Sequence, residues 1–189
     1  MKLENRKAEI IHTATKLFKE KGYSAVTMRD IAKTMGIKAA SLYNHISSKQ
    51  NILIDIIISL AEEFTQEMKV IETTDANCIK KIKQIIALHV DITSRNPFGM
   101  ASLNNDWMHL EEQLKYYLKL RNDYENNFRN IIKQGIRTNE IINSDPDIML
   151  FSMLSTLRSL YLWIPNKKDQ TPDEIANSLS NILINGINK

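Results

Sequence analysis

Residues 27–45 read Thr27-Met28-Arg29-Asp30-Ile31-Ala32-Lys33-Thr34-Met35-Gly36-Ile37-Lys38-Ala39-Ala40-Ser41-Leu42-Tyr43-Asn44-His45. Thr27 is placed to cap a helix, with Asp30 three residues later reaching back to the cap, the reciprocal pattern that satisfies two orphan amides at a helix start. Gly36 stands where the chain must turn sharply, in a backbone conformation that glycine adopts without a Cβ clash. Ile31, Ala32, Ile37 and Leu42 then form the inward positions of two short helices joined by a tight turn. Such a unit puts its second helix in a DNA major groove while its first crosses the backbone. A plain corner between two helices has the same local pattern, so the turn alone leaves both readings open.

Working outward, apolar residues recur at three- and four-residue spacing, and Gly (5) and Pro (4) are scarce. That period predicts an all-α protein of about nine helices. Ile10, Ala14, Leu17 and Phe18 form one face of a first helix that Gly22 ends. Ser47 is expected to cap a long fourth helix with Leu53, Ile57, Leu60, Phe64 and Met68 on one stripe. Asp75 is expected to cap a fifth helix that runs to Asn96-Pro97. A short aromatic-bearing helix follows. The longest helix is expected over 112–138, one starting at Asp145-Pro146 comes next, and the last opens at Thr171-Pro172-Asp173-Glu174.

Charge divides unevenly along the 189 residues, whose formal net charge is +3. Residues 1–50 hold ten basic and four acidic side chains, a balance of +6, which leaves −3 for the remainder. A basic head on a slightly acidic body points to a head that meets a polyanion. The lone cysteine, Cys78, excludes an internal disulfide framework. No signal peptide follows the charged N-terminus, and Arg158 interrupts the most apolar stretch, 148–164, so no membrane span is expected. A cytoplasmic protein is the expectation. His89, His109, Asp106, Glu111 and Glu112 could furnish a metal or acid–base site, but no organising motif accompanies them. Neither metal, cofactor nor catalytic residue is therefore expected. Cys78 reads as an inert buried thiol before it reads as a redox sensor.

The longer pattern decides between the readings of the turn. Ile10, Ala14, Leu17-Phe18, Gly22-Tyr23, Thr27, Ile31-Ala32 and Gly36-Ile37 run on into Ser41-Leu42-Tyr43-Asn44-His45-Ile46-Ser47-Ser48-Lys49. Over residues 5–60 this resembles the TetR (tetracycline-repressor-like) family of bacterial transcriptional regulators, with Ile46 where many members have phenylalanine. The resemblance implies a three-helix DNA-binding head over 1–50, a helical effector-binding and dimerisation body over 51–189, and a homodimer on a palindromic operator. It implies that Thr27, Tyr43, His45 and Lys49 contact phosphate, with Arg29 on the backbone or a groove edge. Lys38, Ala39, Ala40 and Ser41 would open the recognition helix, Lys38 donating to guanine and the alanines meeting thymine methyls. Asn44 either reads adenine or caps the helix.

In the body, Phe98, Met100, Leu103, Trp107, Tyr117, Arg121, Tyr124, Phe128, Met153, Leu157 and Tyr161 have the composition of an effector pocket, apolar walls with a few polar groups. Met149, Met153, Leu160 and Trp163 on one helix, with Ile175, Leu179, Ile182 and Gly186 on the last, are the expected dimer surface. Phe151 is assigned to the opposite, core-facing side. The segment from Arg121 to Gly135, with Trp163-Ile164-Pro165 and Thr171 to Ala176, is similar to family branches that sense acyl-CoA thioesters in fatty-acid or sterol breakdown. The implied effector is thus a hydrophobic small molecule, an acyl-CoA among the options. A factor of the same fold that binds DNA without any effector, in an architectural or cell-division role, is the alternative.

Overall fold

The computed structural model describes residues 2–167 and 169–185, with side chains described from residue 6 onward. The elements are α1 (Lys2–Lys21), α2 (Met28–Thr34), α3 (Ala39–Tyr43), α4 (Lys49–Thr73), α5 (Cys78–Arg95), α6 (Pro97–Asn105), α7 (Leu114–Arg137), α8 (Pro146–Arg158), α9 (Leu160–Trp163) and α10 (Pro172–Asn185). Short 3-10 turns lie at Trp107–His109, Glu111–Gln113 and Ile164–Asn166. The all-α reading holds. The chain divides into two compact units, one made of residues up to Ala61 with Phe98–Tyr117, the other of Glu62–Pro97 with Leu118 onward.

In the first unit, Ile10, Ala14, Phe18, Val26, Ile31, Ala32 and Leu42 are buried and lock α1, α2 and α3 together. Gly22 and Gly36 have φ of +80° and +67°, the left-handed conformations that end α1 and turn α2 into α3. The capping box of α2 forms as the sequence predicts: the Asp30 amide donates to Thr27 Oγ1 at 3.2 Å and the Thr27 amide to Asp30 Oδ2 at 2.9 Å. The Thr27 hydroxyl also donates to Asp30 Oδ2, and that bond, followed by the one from the Thr27 amide, holds the Asp30 carboxyl below the usual range.

Two other caps shift by a residue or two. The Asn51 amide donates to Ser48 Oγ at 3.0 Å, so Ser48 and not Ser47 caps α4. The Lys80 amide donates to Asn77 Oδ1 at 2.9 Å, so Asn77 and not Asp75 caps α5. The longest helix is α4, of 25 residues, one more than α7.

In the second unit α5 is the central element, with α8, α9 and α10 packed on it. Its Ile82, Ile85, Ile86 and Val90 are fully buried. Gly135 on α7 admits Ile141 and Cys78 so closely that a Cβ there would stand 2.5 Å from Ile141 Cδ1. Asp145 caps α8 through the Asp147 amide, and Thr171 and Glu174 form a second capping box at α10. By length and composition alone, Pro146–Asn166 is long and apolar enough to cross a membrane, contrary to expectation. Its Met149, Leu150, Met153, Leu154 and Leu157 are buried inside the unit, and Arg158 is ion-paired to Glu125 at 2.6 Å.

Candidate nucleic-acid interface and effector region

The exposed side of the α2–α3 pair carries the residues expected to meet DNA. Thr27, Arg29, Lys38, Ala40, Ser41, Tyr43 and Asn44 are exposed, and Ala39, His45 and Lys49 are half-buried. Leu42 is fully buried beneath them, so α3 is anchored by one apolar side chain and presents the rest of its surface outward. Tyr43 leaves 53% of its surface open, a large exposure for an aromatic ring. Lys38 occupies the N-cap position of α3 but makes no side-chain cap bond, which leaves its ammonium to reach away from the helix.

Two of the expected phosphate contacts are occupied within the chain. The Thr27 hydroxyl donates to Asp30 Oδ2 at 2.6 Å while accepting from the Asp30 amide. The Lys49 ammonium donates to the Tyr23 carbonyl at 2.8 Å and stands 4.2 Å over the Tyr23 ring, and burial there lowers its pKa. Lys49 thereby fastens the first turn of α4 to the segment between α1 and α2. Tyr23 Oη donates to Gln50 Oε1 at 2.6 Å, and Gln50 Nε2 donates to the His109 carbonyl at 2.6 Å. The His109 ring stacks on Tyr23 at 5.2 Å, and Phe98 meets the edge of His12 with Lys19 above it. Residues 98–117 are thus bonded to the helix-turn-helix framework inside one unit. Sequence reading missed this because every contact joins residues far apart in the chain.

The residues expected to line an effector pocket divide between the units. Phe98, Met100, Leu103, Trp107 and Tyr117 belong to the first, where Trp107 and Tyr117 stack at 5.9 Å. Arg121, Tyr124, Phe128, Met153, Leu157 and Tyr161 belong to the second. There Tyr124, Phe128, Met153 and Leu157 are buried, Phe128 and Leu157 completely. His89, on α5, was not among the expected pocket residues. Its Nε2 lies 2.9 Å from Tyr124 Oη, and its ring is 4.7 Å from that of Phe64. Burial, with Arg158 nearby, pushes the His89 pKa down to about 3, and burial raises that of Tyr124. Both are therefore neutral at neutral pH. Arg121 and Arg158 both hold Glu125, whose carboxyl they keep below the usual range against the opposing effect of burial.

The expected dimer surface is corrected in part. Met149, Met153, Leu160 and Ile175 are buried inside the protomer, at 5% exposure or less, and so have no surface to offer a second copy. Leu179 is half-buried, Trp163 and Ile182 are exposed, and Gly186 lies outside the described residues. The large apolar side chains exposed on these helices are Ile148 and Phe151 on α8, Leu162 and Trp163 on α9, and Ile182 on α10. Phe151, assigned to the core side from sequence, is 73% exposed. A groove of about 510 Å³ is lined by Ser155, Thr156, Ser159, Leu160, Trp163 and Leu179. Among the described residues no group of three or more His, Cys, Asp or Glu is placed to hold a metal.

Comparison with known proteins matches residues 10–56 to the bacterial regulatory proteins of the tetR family, and residues 75–187 to the tetracyclin repressor-like C-terminal domain. The chain belongs to the tetR family. It is a helix-turn-helix transcription regulator. It is 23% identical over 186 residues to the HTH-type transcriptional repressor KstR2 of Rhodococcus jostii (strain RHA1), covering 96% of this chain and 91% of that protein. The fold is shared with the ketosteroid transcriptional regulator KstR2 of Mycobacterium tuberculosis, at a TM-score of 0.90 and 20% identity over 97% of this chain and 95% of that one. It is also shared with AibR, solved in complex with isovaleryl coenzyme A and operator DNA, at a TM-score of 0.76 and 20% identity over 94% and 97% of the two chains.

Proposed function

We propose that the protein is a homodimeric repressor that binds a palindromic operator through residues 1–50 and is released by an acyl-CoA bound in the body formed by residues 51–189. The observation that carries the DNA half is the surface of α3. An apolar anchor, Leu42, lies beneath an outward row of Lys38, Ala40, Ser41, Tyr43 and Asn44. Lys38 is assigned to a guanine edge, Ala39 and Ala40 to thymine methyls, Arg29, Tyr43 and His45 to phosphate. The bonds Thr27 and Lys49 make within the chain give them a positioning role beside any contact to DNA. Such a protein works where chromosomal DNA is, in the cytoplasm.

For the effector half, the buried aromatic and methionine set of the second unit supplies apolar walls, and AibR was solved with an acyl-CoA and operator DNA together. The effector acts by a difference in affinity between a DNA-competent conformation and an incompetent one, since a ligand with equal affinity for both shifts nothing. α4 contributes Lys49–Ala61 to one unit and Glu62–Thr73 to the other, as α7 also contributes to both, and α4 is assigned the role of linking the two events. The exposed apolar residues of α8, α9 and α10 supply the dimer contact.

Binding to DNA upstream of the protein's own gene tests this, at fixed salt, with and without isovaleryl-CoA or octanoyl-CoA. Specific binding abolished by a thioester is the expected result. Specific binding indifferent to every thioester removes the effector, and failure to select any sequence from random DNA removes the repressor.

A further inference from the structure

Three buried polar side-chain atoms on α5 have no partner: His89 Nδ1, Thr93 Oγ1 and Ser94 Oγ. His89 Nδ1 and Thr93 Oγ1 accept and donate nothing within the protein, although the two residues are only 3% and 0% exposed. A buried polar group left without a hydrogen bond is costly, and folded proteins leave few of them. Thr93, like the neighbouring Ser94 and Ser102 on α6, departs from the common habit of helical hydroxyls in this chain. Other helical hydroxyls here turn back to the carbonyl four residues earlier: Thr13 to Glu9, Thr34 to Asp30, Ser59 to Asp55 and Ser159 to Ser155. Thr93 is deeper than any of these and leaves that bond unmade.

The proton on His89 can be placed by counting. The neutral Tyr124 phenol has one hydrogen to donate, and His89 Nε2 is 2.9 Å away. If Nε2 accepts it, the imidazole proton sits on Nδ1 and one group is left unpaired. If Nε2 donates instead, both the phenol hydrogen and the Nδ1 lone pair are stranded. The first arrangement strands less and makes Nδ1 a donor. His89 and Thr93 are four residues apart on one helix, which puts them on one face with Cβ atoms roughly 5–6 Å apart. Two N–H and O–H donors at that spacing can converge on a single oxygen. The surroundings, Phe64 and Tyr124, are aromatic, and the nearby Arg158 guanidinium is taken by Glu125. A carboxylate would lack a free cation there, so the matching group is a neutral acceptor.

We propose that His89 Nδ1 and Thr93 Oγ1 are an effector-binding pair that receives the thioester carbonyl oxygen of the acyl-CoA. This rests on the acyl-CoA reading above. The unmade bonds of the free protein are completed by the ligand, and the pair is a source of affinity that a purely apolar wall lacks.

Calorimetric titration of the full-length protein with octanoyl-CoA and with S-octyl-CoA, a thioether without the carbonyl, tests it. The thioester is expected to bind about tenfold more tightly, the equivalent of roughly one well-made hydrogen bond. Thr93→Val should bring the two probes close to parity and Thr93→Ser should restore the preference. Because the Thr93 hydroxyl has no partner to lose, ligand-free Thr93→Val should melt no lower than the parent. Equal affinity of the parent for both probes, or a Thr93→Val protein that melts several degrees lower, overturns the assignment while leaving the acyl-CoA reading intact. No binding of either probe overturns that reading and the pair's role with it.

Discussion

His89 is held neutral by burial against Phe64 and Tyr124, with its pKa lowered to about 3 from the ordinary 6.5. In the unfolded chain the imidazole takes a proton below about pH 6.5, and in the folded one it does not. The unfolded state therefore binds more protons between those values, and stability falls as pH drops through that window. Above pH 6.5 the contribution is fully present. From pH 7 to pH 5, His89 alone should cost about 2 kcal/mol of unfolding free energy. Urea unfolding of the parent and of His89→Phe, each at pH 7 and pH 5, checks this. The substitution strands the Tyr124 hydroxyl and lowers stability at both pH values, so the slope between them is what matters. A slope as steep in His89→Phe as in the parent refutes the assignment. Other single-residue features were readable in advance where the pattern was local, as with Thr27 and Asp30. They were not where neighbours were chemically equivalent. Ser47 and Ser48 are both good caps, and the one that takes the Asn51 amide is Ser48. Asp75 and Asn77 pose the same ambiguity before α5. The His89–Tyr124 pair joins residues 35 apart and left no sequence signal at all.

At the scale of elements, the helical period announced α1, α5, α7 and α10 because each buries one stripe. α8 was legible as a helix but not in its orientation. Apolar side chains surround it, and a period alone does not say which face meets the core. Burial of Met149 and Met153, with Phe151 left exposed, settles the matter through packing on α5. For α3 the reverse is true. Its five residues have one buried member, so nearly everything on it is free to be chosen for recognition and not for folding. Lys38→Ala should therefore leave stability within about 0.5 kcal/mol of the parent, as surface substitutions do. Its effect belongs to DNA: a loss of about 1–3 kcal/mol confined to one base position per half-site if it meets a guanine edge. Tyr43→Phe should instead weaken binding to all sequences alike. Binding to a set of singly substituted operators separates the two, and a uniform loss from Lys38→Ala would assign it to phosphate.

For the whole molecule, the outward apolar residues of α8, α9 and α10 pose the largest unmet demand. Ile148, Phe151, Leu162, Trp163 and Ile182 are each exposed on the second unit, and large apolar side chains facing water mark a surface open to a partner. In the proposed homodimer a two-fold symmetric partner would cover it with the same patch of a second copy. Two recognition helices in one particle are then what lets a palindromic operator be gripped at both half-sites. Phe151→Glu combined with Ile182→Glu places like charges opposite one another across that contact. The doubly substituted protein should sediment as a monomer with its helical signal unchanged, because neither side chain supports the protomer core. Its affinity for the full operator should fall toward that of the parent for an isolated half-site, whereas half-site affinity itself should not change. A dimer that survives both charges would place the contact elsewhere on the body. A monomer that retains full operator affinity would mean that DNA, and not this face, brings the two heads together.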